Sequence, residues 1–413
     1  MLNVSRRAEL RCVELFLVRR FQDKVNWRLR RFSLPRPDRY CGHNHAHPKS
    51  TITEHVAVAG LFGTGSGIGQ SARNCFEGLR ASGVSVQAIN LSDFFQQTDM
   101  DYPDACAPDK ACFWDTLILH LNAPEFERGL FALRSGWATR KRIIAYWAWE
   151  LPVLPESWRQ ARRHVSEIWT PSAFVADAVR DAFDVPVRVV PHHIPKLADK
   201  TDFFANDVFT CVAYADGRSS FDRKNVIGAI KAFKDAFDDN GQVRLIVKTR
   251  NLTEYPQQRA QILDAIGGRA DIDLLDKTMS PQEIWKLTAS SDALISLHRS
   301  EGFGMMIAEA MMAGTPVVAT GWSGNMQFTN HENAFLIPYA LEPVKDSGGV
   351  YNITEKCSKS VWAEPDTGAA ASALRTIFTG GDEVAKRVEA AKRDVLNLLS
   401  FQNYSQALTF TDG

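Results

Sequence analysis

The 413-residue chain carries no excess of charge: 48 lysines and arginines meet 48 aspartates and glutamates. No overall field therefore selects nucleic acid or another charged polymer as a partner. Long apolar runs are missing too. No stretch approaches the roughly 20 apolar residues a membrane span needs, and the N-terminus lacks the apolar core of a signal peptide. Cysteine is sparse and scattered, with Cys12, Cys41, Cys75, Cys106, Cys112, Cys211 and Cys357 forming no Cys-x-x-Cys pair. Seven is also odd, so free thiols in a reducing compartment are expected, with the cytoplasm as the default.

Apolar residues make up 45% of the chain, enough for two cores of ordinary domain size. The first 40 residues differ from the rest, with eleven basic residues against four acidic ones and with Val13, Leu15, Phe16, Leu17, Val18, Phe21, Val25, Trp27 and Leu29 interleaved. Such a segment is read either as a basic amphipathic helix in peripheral contact with an anionic membrane or as a disordered or partner-packed leader. The tract Cys41-Gly42-His43-Asn44-His45-Ala46-His47-Pro48 has metal-ligand residue types but sits in a punctuated linker with no cluster to complete it, so no metal is expected.

From residue 54 the pattern alternates strand and helix. Apolar runs at His55 to Ala59, Val84 to Ile89, Thr116 to Leu121, Arg142 to Tyr146, Glu167 to Trp169 and Val187 to Val190 predict a parallel sheet covered on both faces. A second series follows at Phe209 to Tyr214, Val243 to Val247, Ile272 to Leu275, Ala293 to Leu297, Pro316 to Ala319 and Ala334 to Ile337. The expected organisation is a leader over 1–50, a first α/β domain over 51–195, a second over 196–385, and C-terminal helices over 386–413 that return to the first. The polar stretch from His193 to Asn206 is the expected linker.

The most informative run is Leu297 to Thr320, which reads as strand end, glycine-bearing loop, helix and strand. Gly302 and Gly304 leave the backbone bare before a helix start, where free N–H groups and the positive end of the helix dipole favour an anion. Glu301 and Glu309 are eight residues apart, so Glu309 lies about one and a half turns into that helix. A ligand lying across the helix start would meet both carboxylates. Glu309 is flanked by Ala308, Ala310, Met311 and Met312, where an unpartnered carboxylate is costly unless a ligand uses it.

Ser300-Glu301-Gly302-Phe303-Gly304, Ala308-Glu309-Ala310-Met311 and Gly314-Thr315-Pro316-Val317-Val318-Ala319-Thr320 together resemble the nucleotide-sugar site of retaining glycosyltransferases of family 4. The resemblance implies the GT-B fold, two Rossmann-like doubly wound parallel-sheet domains facing a cleft. It further implies that Glu301 meets hydroxyls of the donor sugar, that the backbone of Gly302, Phe303 and Gly304 meets sugar or phosphate, and that Glu309 holds the ribose. Tyr146-Trp147-Ala148-Trp149-Glu150-Leu151-Pro152, Ile168 to Val175, and Trp322-Ser323-Gly324-Asn325-Met326 look like segments shared by transferases of bacterial surface-polysaccharide assembly. Resemblance therefore runs from about residue 55 to the end. There are two departures: Val247-Lys248-Thr249-Arg250-Asn251 stands where many relatives carry Gly-x-Gly, leaving the base unassigned, and Trp322-Ser323-Gly324-Asn325 replaces a Gly-Gly-x-x-Glu turn.

Gly67-Ile68-Gly69-Gln70-Ser71-Ala72, between a strand and a helix, satisfies the loose dinucleotide pattern G-x-G-x-x-A, so a nicotinamide or flavin enzyme is an alternative. The next strand, however, ends at Asn90 rather than at an acid. The loop also resembles the first glycine-rich turn of GT-B transferases, which assigns Gly67 and Gly69 to the cleft wall. In the segment Asp216 to Asn225, the family's phosphate-contacting arginine and lysine fall best on Arg218 and Lys224, with Arg223 a rival for either role. His120 ends a strand of the first half, where polar side chains face the ligand crevice of open α/β sheets. Relatives place a histidine near the transferred sugar, whereas a purely structural role is the plain reading of a lone strand-end histidine. Glu150 is a candidate acceptor contact.

The resemblance thus implies transfer of a hexose, such as mannose or glucose, from a nucleoside diphosphate sugar to a saccharide or lipid-linked saccharide. The anomeric configuration is retained, no metal is needed, and the leaving phosphate oxygen helps deprotonate the acceptor. The expected location is the cytoplasm or the inner face of the plasma membrane, with closure of the two domains over the donor. A transferase-like binding protein without activity is the remaining alternative.

Overall fold

The computed structural model describes residues 55–111, 114–133, 142–194, 203, 208–238, 241–351, 360–400 and 402–409. The basic leader, the Cys41 to Pro48 tract and most of the expected linker lie outside the described residues. Among the described residues no helix is long and apolar enough to cross a membrane.

Two parallel sheets form the two lobes, as the alternation predicted. The first contains β1 (Val56–Gly60), β2 (Val86–Asn90), β3 (Ala105–Cys106), β4 (Thr116–His120), β5 (Arg142–Tyr146), β6 (Glu167–Thr170) and β7 (Val187–Val189), in the order β3-β2-β1-β4-β5-β6-β7. The second contains β8 (Phe209–Tyr214), β9 (Val243–Thr249), β10 (Ile272–Asp276), β11 (Ala293–Ser296), β12 (Val317–Thr320) and β13 (Phe335–Ile337), ordered β10-β9-β8-β11-β12-β13. Each sheet is doubly wound, so strand order reverses between β1 and β4 in one and between β8 and β11 in the other. Ligands bind outside the carboxyl ends of the strands at such reversals. The carboxyl ends of β1, β4, β8 and β11 lead to or carry Gly67 and Gly69, His120, Arg218 to Lys224, and Glu301 to Gly304 respectively, so the topology gathers the sequence-predicted residues at the carboxyl edges of the two sheets.

Continuous apolar strands with buried helices on both sides explain why the predicted and observed strands agree to within a residue or two. Ala57, Ala59, Leu117, Leu119, Ala145 and Ile168 pack on one face of the first sheet, and Val56, Val58, Ile118, Ile144 and Trp169 on the other. The second lobe repeats this arrangement around Val212, Leu245, Ile246 and Val318. Helices α1 (Gly67–Ala81), α2 (Met305–Ala313), α3 (Asp382–Leu398) and α4 (Gln402–Thr409) matter most here. Although it is the last described helix, α4 packs on the first lobe, with Tyr404 buried in that core and the Ala407 carbonyl accepting from Arg188 at 2.9 Å.

Two elements were not legible in the pattern, the two-residue edge strand β3 and a hairpin. An antiparallel hairpin of β14 (Tyr339–Pro343) and β15 (Val361–Pro365), paired from Tyr339↔Pro365 to Pro343↔Val361, leaves the second lobe after β13. Trp362 and Tyr351 of this excursion pack into the core of the first lobe.

Candidate functional site

The site lies where the loop before α2 meets the first lobe. Gly304 adopts φ +95°, a conformation open to glycine, and caps α2 by accepting from Ile307 and Ala308 at 3.0 and 3.1 Å. The backbone N–H groups of Gly302, Phe303, Gly304, Met305 and Met306 donate to nothing among the described residues. This run of free donors at a helix N-terminus is the electrostatic form of an anion site. Phe303 is buried against His192 (4.8 Å between centroids) and Phe328 (4.9 Å), so its side chain anchors the loop while its backbone remains available.

The first lobe closes over this loop. Ser172 Oγ donates to the Gly302 carbonyl at 2.7 Å, and a β-carbon on Gly302 would lie 3.0 Å from the Trp149 carbonyl. Gly67 opens α1 nearby, where a β-carbon would lie 3.5 Å from Met305 Cε, so the first residues of the two helices come close together. Gly69 is required by the turn itself: a β-carbon there would sit 2.6 Å from the Leu61 carbonyl oxygen. Arg73 stitches the same turn by donating to the Phe62 and Thr64 carbonyls at 2.6 and 2.7 Å. At the end of β2, where a dinucleotide site presents a carboxylate, Asn90 instead accepts from Ser92 N at 3.0 Å.

Glu301 is buried and held by two cations, Lys224 Nζ at 2.5 Å and Arg223 Nη1 at 3.0 Å, both on Oε1. Burial alone would push its pKa up, but Lys224 and Arg223 overcome that and hold it near 2. It is ionised at any physiological pH, and Oε2 has no hydrogen-bond partner among the described residues. The peptide of Glu301 is gripped from both sides, its N–H donating to Ser323 Oγ at 2.8 Å and its carbonyl accepting from Gly324 N at 2.8 Å. Buried Asn325 completes the cradle by bonding to the Thr320 carbonyl and His298 Nε2 at 3.0 Å each. Ser323, with φ 76°, and Asn325 are positioning residues that sequence reasoning met only as a departure from a glycine-rich turn.

The loop after β8 separates the three basic candidates. Ser220 caps the short helical turn Phe221–Lys224, accepting from Arg223 N at 3.3 Å, and this turn aims Arg223 and Lys224 at Glu301. Arg218 lies outside this cluster: it is about half exposed and paired with Glu254 at 2.7 Å. Arg223, the rival in the sequence, is the guanidinium that reaches the carboxylate.

Glu309 is only partly covered by the surface, yet it has no ion pair or hydrogen bond among the described residues, and burial pushes its pKa up to about 7. Burial pushes up the pKa of nearby Tyr214, whose hydroxyl meets Thr288 Oγ1 at 2.7 Å, and Glu309 adds to that rise. A native pKa above the ordinary value of about 4.5 means the folded chain keeps a proton that the unfolded chain releases. Stability should therefore fall as pH rises between about 4.5 and 7. Denaturant titrations at pH 5, 6, 7 and 8 should show Glu309→Gln flattening that slope and gaining on wild type above pH 7. Identical slopes in the two proteins would contradict an unpaired Glu309.

His120 stands at the carboxyl end of β4, fully covered, with Nδ1 2.8 Å from Ser71 Oγ and its ring stacked on Tyr146 at 4.4 Å. Burial first, and His192 second, depress its pKa and keep it neutral, while buried Nε2 has no partner. Lys248, in the other departure, donates to the Thr249 and Lys277 carbonyls, and burial pulls its pKa down to about 8.

These features coincide with known proteins in two ways. Residues 218–342, the span containing Arg218, Lys224, Glu301 and Glu309, match the family model Glycosyl transferases group 1. The fold is GT-B. HepE of Anabaena in complex with UDP-glucose superposes with a TM-score of 0.59 at 15% identity, covering 86% of this chain and 99% of that one. A glycosyltransferase from Rickettsia africae ESF-5 gives a TM-score of 0.58 at 13% identity over 86% and 97% of the two chains. In sequence, 155 residues are 29% identical to the protein named "Putative glycosyltransferase 48" of the Sulfolobus islandicus filamentous virus (isolate Iceland/Hveragerdi), 37% of this chain. The match spans 49% of that curated relative. All candidate residues after β8 and β11 thus fall within the group 1 segment, while Gly67, Gly69, His120 and Glu150 belong to the GT-B partner lobe.

Proposed function

We propose that this chain is a glycosyltransferase that moves a hexose from a nucleoside diphosphate sugar to a saccharide or lipid-linked saccharide, with retention, in surface-polysaccharide assembly. The observation that carries the reading is the state of Glu301. Both cations occupy Oε1, leaving an ionised, unpaired Oε2 beside five free backbone N–H groups. A carboxylate with open lone pairs suits sugar hydroxyls, and the N–H run suits a diphosphate. The complexes of HepE with UDP-glucose and with UDP and glucose favour a uridine donor and a hexose here.

In this reading Lys224 and the α2 N-terminus neutralise the departing diphosphate, with Arg218 able to join by leaving Glu254. The acceptor oxygen bonds to the anomeric carbon as the bond to phosphate breaks, and the acceptor proton passes to the leaving phosphate oxygen on the same face. No protein nucleophile is required, and the neutralising charges come from side chains and helix ends rather than from a metal. Glu309 takes the ribose hydroxyls once ionised.

A thermal-shift panel of UDP, GDP, ADP, their hexose conjugates and NAD(P) tests the reading. A nucleoside diphosphate sugar at 100 times its dissociation constant should add about 2.7 kcal/mol of stability. Stabilisation by nicotinamide dinucleotides alone would replace it with the oxidoreductase alternative, which the side chain of Asn90 already disfavours.

A further inference from the structure

The hairpin excursion brings a side chain of the opposite lobe to the Glu301 pair. Arg223 is buried and donates to the Ser300 carbonyl at 2.8 Å and Ser219 Oγ at 3.1 Å, with Glu301 Oε1 3.0 Å away on one side. On the other side, Nη2 lies 3.7 Å from Oε1 of Glu150, which comes from the first lobe. The second oxygen of Glu150 accepts from the Tyr351 hydroxyl at 3.1 Å, and Trp149 packs edge-on against that ring at 5.5 Å. Two carboxylates, one from each lobe, therefore straddle a single guanidinium.

The excursion is fixed to the same turn that carries Arg223. Asp346 accepts from Ser220 Oγ at 2.8 Å and from Tyr351 N at 3.0 Å, while Asp222 accepts from both Ser347 N and Ser347 Oγ at 2.6 Å. Ser220 is the cap of that turn, so hydrogen bonds through Asp346 tie Tyr351 to the turn that carries Arg223 and Lys224. Glu150 is the member of this cluster that arrives from the other side of the cleft.

We propose that Glu150 is a positioning residue for the sugar end of the donor site: held by Tyr351, it fixes Arg223 against Glu301 and so keeps the free oxygen of Glu301 aimed at the donor sugar. This rests on the donor reading above and extends it, because the sugar subsite is then complete only when the two lobes meet. The free N–H run at α2 needs nothing from Glu150. Recognition of the diphosphate and recognition of the hexose should accordingly separate.

The test uses the full chain and calorimetric titration with UDP, GDP and their glucose and mannose conjugates, taking the pair that binds wild type. Glu150→Gln keeps the shape and still accepts from Tyr351, but it loses the charge facing Arg223. It should weaken the sugar conjugate about tenfold and the free diphosphate less than twofold. Tyr351→Phe should show the same split at smaller size, and it carries the test if the first variant does not fold. In a Glu301→Gln background, Glu150→Gln should add less than twofold, since its route runs through Glu301. Equal weakening of both ligands, or no weakening of either, overturns the proposal and assigns Glu150 to the lobe contact alone. If wild type binds no nucleoside diphosphate, the donor reading itself fails and takes this proposal with it.

Discussion

Glu301→Gln should lower kcat/KM for the donor by about two decades, and because it removes the charge that faces buried Arg223 it should also lower the melting temperature, though less than alanine does. Glutamine keeps the volume and one acceptor, but it cannot offer a charge-assisted bond to a sugar hydroxyl, worth about 1.5–3 kcal/mol or one to two decades in rate. Glu301→Ala should go further. It strips Arg223 and Lys224 of their shared partner, and the Arg223 side chain is only 5% exposed. Removing one member of a buried pair costs about 3–5 kcal/mol, so the alanine variant should lose stability as well as activity. Lys224→Ala falls between the two, about one to two decades slower with a modest stability loss, because its own side chain is 28% exposed. Donor turnover within threefold of wild type for Glu301→Gln would remove this carboxylate from the site.

The second large effect is expected at Gly324, which has no side chain to lose. A β-carbon there would overlap the Gly302 carbonyl and stand 2.6 Å from Phe303 N, both backbone atoms of the loop that carries the anion site. Neither can move without moving Glu301, since Gly324 N itself donates to the Glu301 carbonyl. Overpacking of this kind costs about 1–3 kcal/mol or more. A displacement of about 1 Å at a catalytic loop is enough for roughly a hundredfold loss of rate. Gly324→Ala should therefore show both losses. Gly67→Ala is the control, because its new methyl meets only Met305 Cε at an ordinary 3.5 Å, so its melting temperature should hold. Wild-type-like rates for Gly324→Ala would mean that the loop before α2 does not set the chemistry.

The fold was legible because its strands are buried on both faces. Runs such as Thr116 to Leu121 and Phe209 to Tyr214 are predominantly apolar, and that is the signature of a parallel sheet between helices. The hairpin escaped for the same reason. Along Tyr339–Pro343 most residues are exposed, and its partner strand carries Glu364 and ends in Pro365, so neither strand has an apolar run.

The site was legible where backbone and chemistry coincide in sequence, as in Glu301-Gly302-Phe303-Gly304. It was ambiguous where tertiary contacts decide. Arg218, Arg223 and Lys224 are all basic and close together, and what separates them is the turn capped by Ser220 and the approach of Glu150 from another lobe. Ser323 and Asn325 gave no signal of their own, because their role is to hold the peptide and the loop around Glu301 rather than to present a reactive group. His120 keeps the strand-end place the pattern assigned it, with an unpaired Nε2 on a fully covered ring.

A crystal structure of the chain with the nucleoside diphosphate sugar that most stabilises it tests the central claim most directly. The diphosphate is expected on the backbone N–H groups of residues 302–306 near Gly67, the ribose at Glu309, and a sugar hydroxyl on Glu301 Oε2. A nucleotide bound elsewhere, with that carboxylate oxygen still unpaired, would contradict it.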